Sequence, residues 1–171
     1  MTAILRTPRL LLRELDIADL DFVAAMLGDP EVMRHYPKVL TREESEAWMR
    51  RQFLRYARDG HGLWLVVNRH TGVPVGQVGP LIQIVDDKPE TEIGWLIHRP
   101  YWRLGYATEA AAGVLDYVFT QLGKPRAIAL IRPVNEPSQG VARKLGMTPR
   151  GMTMHYDYEH IVFAKDRPDT A

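Results

Sequence analysis

Between Glu90 and Ile131 the chain reads strand, turn, long helix, strand, and no other stretch limits its fold so tightly. In "ETEIGWLIH" (Glu90 to His98) Thr91, Ile93, Trp95 and Ile97 alternate with Glu92, Gly94, Leu96 and His98, as on the two faces of a strand. The helix that follows repeats Ala107, Ala110, Ala111, Val114, Leu115, Val118 and Leu122 at helical spacing, and Gly123 can end it. "RAIALI" (Arg126 to Ile131) reads as a second strand. A strand–helix–strand crossover of this kind usually makes its two strands parallel, so the sheet is expected to contain a parallel pair.

The remaining connections are too short for crossovers. "LWLVV" (Leu63 to Val67), "PVGQVGPLIQIV" and the strand at Glu90 are separated only by "NRHTG" and "DDKP", which predicts an antiparallel meander. Upstream, "RLLLREL" (Arg9 to Leu15) reads as a strand. Asp16 can cap a helix with apolar Leu20, Val23, Ala24 and Leu27, closed by Gly28. Pro30 and Pro37 bracket an irregular segment. Thr41 and Glu44 have capping-box spacing for a helix to about Arg58, with Met49, Phe53 and Tyr56 as its buried stripe. Downstream, "NEPSQGVARKLG" reads as a short helix, and "MTPRGMTM" and "HYDYEHIVFAK" as closing strands. One mixed α/β (α+β) domain over residues 8–167 is expected, with 168–171 as a frayed tail.

Composition removes several classes of function. The formal net charge is +1, from 22 Lys and Arg against 21 Asp and Glu, so charge gives no reason to expect nucleic acid or an anionic membrane as partner. There is no cysteine, which excludes disulfides, thiolate metal sites and a Cys nucleophile. The N-terminal residues meet charge too soon for a signal peptide, and no apolar run approaches a membrane span, which together point to a cytoplasmic protein. The six histidines suggest no metal site. Strand alternation over the closing segment would put His155, Asp157 and Glu159 on one face and His160 on the other.

The long helix opens through Trp102-Arg103-Leu104-Gly105-Tyr106-Ala107-Thr108. Free amides at a helix start carry the positive end of its dipole and suit a phosphate. Gly105 lets backbone approach a ligand, Ala107 keeps the next approach small, Arg103 adds a charge and Thr108 a hydroxyl. A P-loop is excluded by the missing Gly-Lys-Ser/Thr ending, and a dinucleotide fold by the missing G-x-G-x-x-G and the preceding meander. From these seven residues alone, a tight turn that merely packs accounts for the pattern as well as a ligand does.

Taken together, "IGWLIHRPYWRLGYATEAAAGVLDYVF" resembles the acetyl-CoA-binding motif of the GNAT superfamily of N-acetyltransferases, most of all its RimJ/RimL-type branch. The family pattern of Gln or Arg, two residues, Gly, one residue, then Gly or Ala falls on Trp102 to Ala107. Trp102 departs at the first position, where this branch commonly has an aromatic. "NEPSQGVARKLGM" is similar to the family's second signature through Asn135, Ser138, Val141, Lys144, Gly146 and Met147. "TPRLLLREL" and "HIVFAK" also resemble this branch, so the likeness covers nearly the whole chain.

The resemblance implies a GNAT-like, mostly antiparallel sheet of six to seven strands flanked by about four helices, its fourth and fifth strands splayed. It implies acetyl-CoA as co-substrate and no metal. The pantetheine arm would lie along Leu96, Ile97 and His98, and the pyrophosphate on Arg103, Leu104, Gly105, Tyr106, Ala107 and Thr108. Asn135 and Ser138 would contact the arm and the sulfur, with Arg143 or Lys144 near the ribose phosphate. It also raises a homodimer, on which the residues themselves are silent.

The implied reaction moves an acetyl group from acetyl-CoA to a primary amine, on a protein N-terminus or a small molecule, by direct attack in a ternary complex. An alkyl amine is mostly protonated at neutral pH and must lose a proton before it attacks. Glu92 is the candidate base, with Glu90 and Asp157 as weaker alternatives; an exposed position on an alternating strand is the competing reading of Glu92. A backbone N–H near Leu96 or Ile97 would receive the oxyanion, and Ser138 would protonate or hydrogen-bond the sulfur. Tyr36, Trp48 and Gln83 are the candidate acceptor-binding residues, with His35 and the Met152–Tyr158 region nearby. A non-catalytic acyl-CoA-binding domain of the same fold is the alternative, and a purely structural domain a third.

Overall fold

The computed structural model describes residues 2–169. In chain order its elements are β1 (Leu5–Arg6), β2 (Leu10–Arg13), α1 (Leu20–Leu27), α2 (Arg42–Asp59), β3 (Trp64–Asn68), β4 (Pro74–Val85), β5 (Lys88–Ile97), α3 (Tyr106–Thr120), β6 (Arg126–Ile131), α4 (Glu136–Lys144), β7 (Thr148–His155) and β8 (Tyr158–Asp166). Short loops fold β1 onto β2, and β3, β4 and β5 onto one another, while α1 and α2 lie in the long connection between β2 and β3. Two single turns of 3-10 helix, Ile17–Asp19 and Arg99–Tyr101, precede α1 and α3. The strands form one sheet in the order β1-β2-β3-β4-β5-β6-β8-β7, antiparallel throughout except for β5 and β6.

The described residues thus hold eight strands rather than six or seven. The additional one is β1, whose two residues pair Leu5 with Leu12 and Arg6 with Leu11. Two residues are too few to show alternation, so β1 left no pattern to read. Of the tail at 168–171, Pro168 and Asp169 carry no regular structure, and the last two residues lie outside those described.

Two-residue hairpin turns account for the other differences. Asp86 and Asp87 have φ of 50° and 64°, and Tyr156 and Asp157 have 49° and 63°, the conformation that matches a turn to strand twist. The first turn starts β5 at Lys88, two residues before Glu90. The second places His155 at the end of β7 and Asp157 in the turn, so His155, Asp157 and Glu159 do not share a strand face. His160 is buried, and its ring stands 5.2 Å from that of His155. Neither turn contains the Gly that usually marks such hairpins.

The helices cover both faces, and strand alternation sorts the cores. Trp64 and Val66 of β3 and Ile93 and Ile97 of β5 pack with Ala110, Val114 and Val118 of α3. Leu65, between them, packs with Val23, Met26 and Leu27 of α1 and Met49 of α2, and Leu96 lies against that second core. Thr41 and Glu44 form the expected capping box of α2. The buried face of α2 is more polar than expected: Ser45 and Gln52 are buried with Met49, while Phe53 and Tyr56 are half-buried. Gln52 accepts from the Leu63 amide at 3.0 Å, and Tyr56 accepts from the Leu15 amide at 3.2 Å, which ties α2 to two strand ends.

Candidate active site

Strands β5 and β6 pair at one position only, Glu92 with Ile128. Each continues beyond it, to Ile97 and Ile131, and the strands separate into a cleft. The cleft widens into a cavity of about 680 Å³ that runs from the start of α3, past Glu92, to α2, the 31–37 segment and the β7–β8 hairpin.

At one end, no side chain caps α3. Gly105 precedes it with φ of 78°, a conformation that disfavours any side chain, and a Cβ there would meet Nη2 of Arg9 at 3.3 Å. Tyr106, Ala107 and Thr108 turn the first helical residues toward the cavity. Uncapped amides, the dipole and Arg103 on the same wall form a donor set suited to a diphosphate.

A polar latch fixes this end. The Glu109 carboxylate accepts from the Thr7 hydroxyl at 2.6 Å, from the Arg9 amide at 2.8 Å and from Arg9 Nε at 2.6 Å. Arg9 also donates to the Leu104 carbonyl at 2.8 Å, and its guanidinium lies 4.7 Å from the centre of the Tyr106 ring. Burial pushes the Glu109 carboxyl up, but the hydrogen bonds from Thr7 and Arg9 outweigh it and hold the carboxyl below its ordinary value. Trp102, at the position where the family pattern has Gln or Arg, donates from Nε1 to the Ile97 carbonyl at 2.7 Å and ties the loop to the end of β5.

Along β5 the direction of the amides follows from one bond. The His98 amide donates to the Val75 carbonyl at 2.9 Å, so His98 is turned toward β4. Two-residue alternation turns Leu96 the same way and aims the Trp95 and Ile97 amides into the cleft. Of the three residues expected to hold the pantetheine arm, Leu96 and Ile97 line the cavity and His98 does not. Leu104 is also absent from the wall, since its carbonyl faces Arg9.

Across the cleft, Asn135 caps α4 by accepting from the Ser138 amide at 3.3 Å. The Ser138 hydroxyl accepts from Trp95 Nε1 at 3.3 Å, which fixes its oxygen beside β5. Asn135, Ser138 and Lys144 line the cavity; Arg143 instead lies over the Phe163 ring.

Glu92 is 8% exposed and faces the cavity on the α2 side. Burial pushes its carboxyl up to about 7, against the opposing effects of a hydrogen bond from Gln83 and the charge of Arg55. Burial also raises the Tyr36 phenol far above its ordinary value, and the charge of Glu92 adds to the effect. The Tyr36 and Trp48 rings meet edge to face at 6.3 Å, and Trp48 Nε1 donates to Gln77 at 3.0 Å. Tyr36, Trp48, Gln83 and His35 therefore share one wall with Glu92. Glu90 is ion-paired with Arg126 outside the cavity, and Asp157 sits in the hairpin turn. A buried carboxylate that titrates near neutrality beside a cleft is suited to take a proton from an amine.

Arg55 and Arg132 also line the cavity and were not singled out from the sequence. Arg55 had a legible signal: Trp48, Arg51, Gln52 and Arg55 follow i, i+3, i+4, i+7 spacing and present one face. Arg132, one residue past β6, had none. Among the described residues no group of three or more His, Cys, Asp or Glu side chains could hold a metal ion, and no helix is long and apolar enough to cross a membrane.

Comparison with known proteins fits this geometry. The family model described as an acetyltransferase (GNAT) domain matches residues 9–148. The uncharacterized N-acetyltransferase YnaD of Bacillus subtilis (strain 168) is 32% identical over 146 residues, 85% of this chain and 82% of that protein. The crystal structure of an acetyltransferase from Agrobacterium tumefaciens str. C58 superposes with a TM-score of 0.84 at 27% identity, covering 98% and 95% of the two chains. RimL, a ribosomal L7/L12 alpha-N-protein acetyltransferase solved with coenzyme A, shares the fold at a TM-score of 0.78 and 16% identity, over 96% of this chain and 98% of its own.

Proposed function

Because this chain belongs to the GNAT acetyltransferase family and is an acyltransferase, we propose that it transfers the acetyl group of acetyl-CoA to a primary amine, with Glu92 as general base. The observation that carries this reading is the position of Glu92, a buried carboxyl raised to about 7 at the one residue where β5 still pairs with β6.

The residues present fit the co-substrate. The uncapped start of α3, with Gly105 left-handed and Arg103 on the same wall, suits the diphosphate, and the cleft between β5 and β6 suits the pantetheine arm. The thioester supplies an already activated acyl group. Glu92 removes a proton from the acceptor ammonium, directly or through water. The Ile97 amide donates to the carbonyl oxygen as charge gathers there. The carbon–nitrogen bond forms and the carbon–sulfur bond breaks. The second proton of the attacking nitrogen passes to the departing sulfur through the Ser138 hydroxyl, which gives its own proton to the sulfur and takes the one from nitrogen, so that a free thiol leaves.

Free-thiol release during incubation of the protein with acetyl-CoA and a panel of amines tests this reading. Thiol release dependent on an amine is expected. Thermal stabilisation by acetyl-CoA, about 2.7 kcal/mol at a hundred times its Kd, without thiol release for any amine would instead identify an acyl-CoA-binding domain.

A further inference from the structure

The acceptor end of the cavity is cationic, and three of its guanidiniums, Arg51, Arg55 and Arg132, lack carboxylate partners among the described residues. Arg51 lies 5.7 Å from the Trp48 ring centre and Arg132 lies 4.1 Å from that of Tyr158. Arg55 acts on Glu92 through its charge, but the two are not within ion-pair distance. Among the described residues none of these three guanidiniums has a carboxylate within 4.0 Å, although all three line the cavity. Of the two acids that line the cavity, Glu31 is paired with Arg34 at 3.2 Å, and Glu92 is buried and its burial favours the neutral form. The imidazoles record the same field. Burial, then the charge of Arg132, lowers His35, and both effects also act on His160, against a backbone hydrogen bond at Tyr158.

Guanidiniums that line a cavity without a protein anion, Arg132 held on the Tyr158 ring and Arg55 on the cavity wall, are suited to bind the anion of a ligand. A polyamine or aminoglycoside would bring like charge to this wall. We propose that the acceptor is an amine carrying its own carboxylate or phosphate, which docks on Arg55 and Arg132 while its ammonium faces Glu92. This deepens the acetyl-transfer reading and rests on it.

The experiment compares matched pairs with free-thiol detection: leucine against leucinamide, and 2-aminoethyl phosphate against 2-aminoethanol, with spermidine as the polycation. The amine of leucinamide is the less basic of its pair, which favours the amide, so a preference for the acid reports the pocket. The expected result is kcat/KM at least about tenfold higher for an anionic member, the order lost with a hydrogen bond to a charged group. Whichever anionic amine prevails identifies carboxylate or phosphate. Arg132→Gln and Arg55→Gln should each lower that ratio toward one. Turnover of neutral amines or spermidine equal to or above that of the anionic ones overturns the proposal and leaves the transferase reading intact. So does an Arg132→Gln variant that changes only the KM for acetyl-CoA. If no amine releases thiol, the transferase reading fails, and calorimetric titration of the CoA-loaded protein with N-acetylleucine and its amide decides the rest. Binding of the acid alone upholds an anion subsite, and equal binding removes it.

Discussion

Glu92 stands opposite Ile128 at the sole pairing position of the parallel strands β5 and β6, so the buried carboxylate marks the point where the sheet opens. Its side chain shares the α2-side wall with Tyr36 and Gln83, while the Trp95 and Ile97 amides enter the cleft just beyond. The carboxylate proposed as proton acceptor and the two cleft-facing amides therefore lie within six consecutive residues of one strand, ordered by its two-residue period.

Glu92→Gln should lower kcat by about a hundredfold or more, the usual contribution of a positioned base. The wild-type rate should rise with pH as the carboxyl deprotonates through about 7. The variant should lose that rise and keep only the titration of the acceptor amine. A pH–rate profile that is the same in both proteins would remove Glu92 from proton transfer.

The same substitution should stabilise the fold at alkaline pH. The folded carboxyl is raised from an ordinary 4.5 to about 7, so the native state holds more protons than the unfolded state between these values. Its contribution is complete below about 4.5 and is lost as pH rises through about 7. The interval corresponds to at most about 3 kcal/mol. Thermal melts should show Glu92→Gln above wild type at pH 8, with the difference shrinking toward pH 4.5. A constant offset would mean that charge burial is not its cause.

Much of this arrangement was legible from the chain. The crossover from Glu90 to Ile131 required the parallel pair, and the alternation in β5 assigned Glu92 and Trp95 to opposite faces. The glycines at 105, 123 and 146 marked helix limits because each has positive φ. What could not be read depends on long-range contact or on turns without a signature. The latch from Glu109 to Thr7 and Arg9 joins residues a hundred positions apart, and Arg132 meets the Tyr158 ring only when β6 lies beside the hairpin. The Tyr156–Asp157 turn has no glycine, which shifted the reading of β7 and β8 and hid the contact of His155 with His160.

Ser138→Ala separates chemistry from capping. The Asn135 side chain accepts from the Ser138 backbone amide, which alanine retains, so α4 should keep its cap and the melting temperature should barely move. Only the hydroxyl beside Trp95 is lost. A tenfold or greater fall in kcat with little change in the KM for acetyl-CoA is expected, on the order of one hydrogen bond to a charged group. Unchanged kcat would leave Ser138 a structural residue.

Glu109→Gln should act on binding rather than turnover. The carboxylate accepts three hydrogen bonds, two of them from Arg9, and the amide turns a donor toward Arg9. Destabilisation of about 1–3 kcal/mol is expected. Because the latch fixes the loop before α3, the KM for acetyl-CoA should rise while kcat stays near wild type. A fall in kcat alone would point to a different role.

Gly105→Glu tests the helix start directly. The left-handed φ of 78° strains any side chain, at a cost of about 1–3 kcal/mol. The residue is exposed, so the fold should survive with a near-native circular dichroism spectrum. The new carboxylate would stand beside the amides of Tyr106 to Thr108, where the diphosphate is expected, and repel it. Calorimetry should show acetyl-CoA affinity reduced at least about tenfold. Gly105→Ala, which adds strain without charge, should lose less. Equal losses in the two variants would assign the effect to backbone geometry, and unchanged affinity in both would move the diphosphate site away from α3.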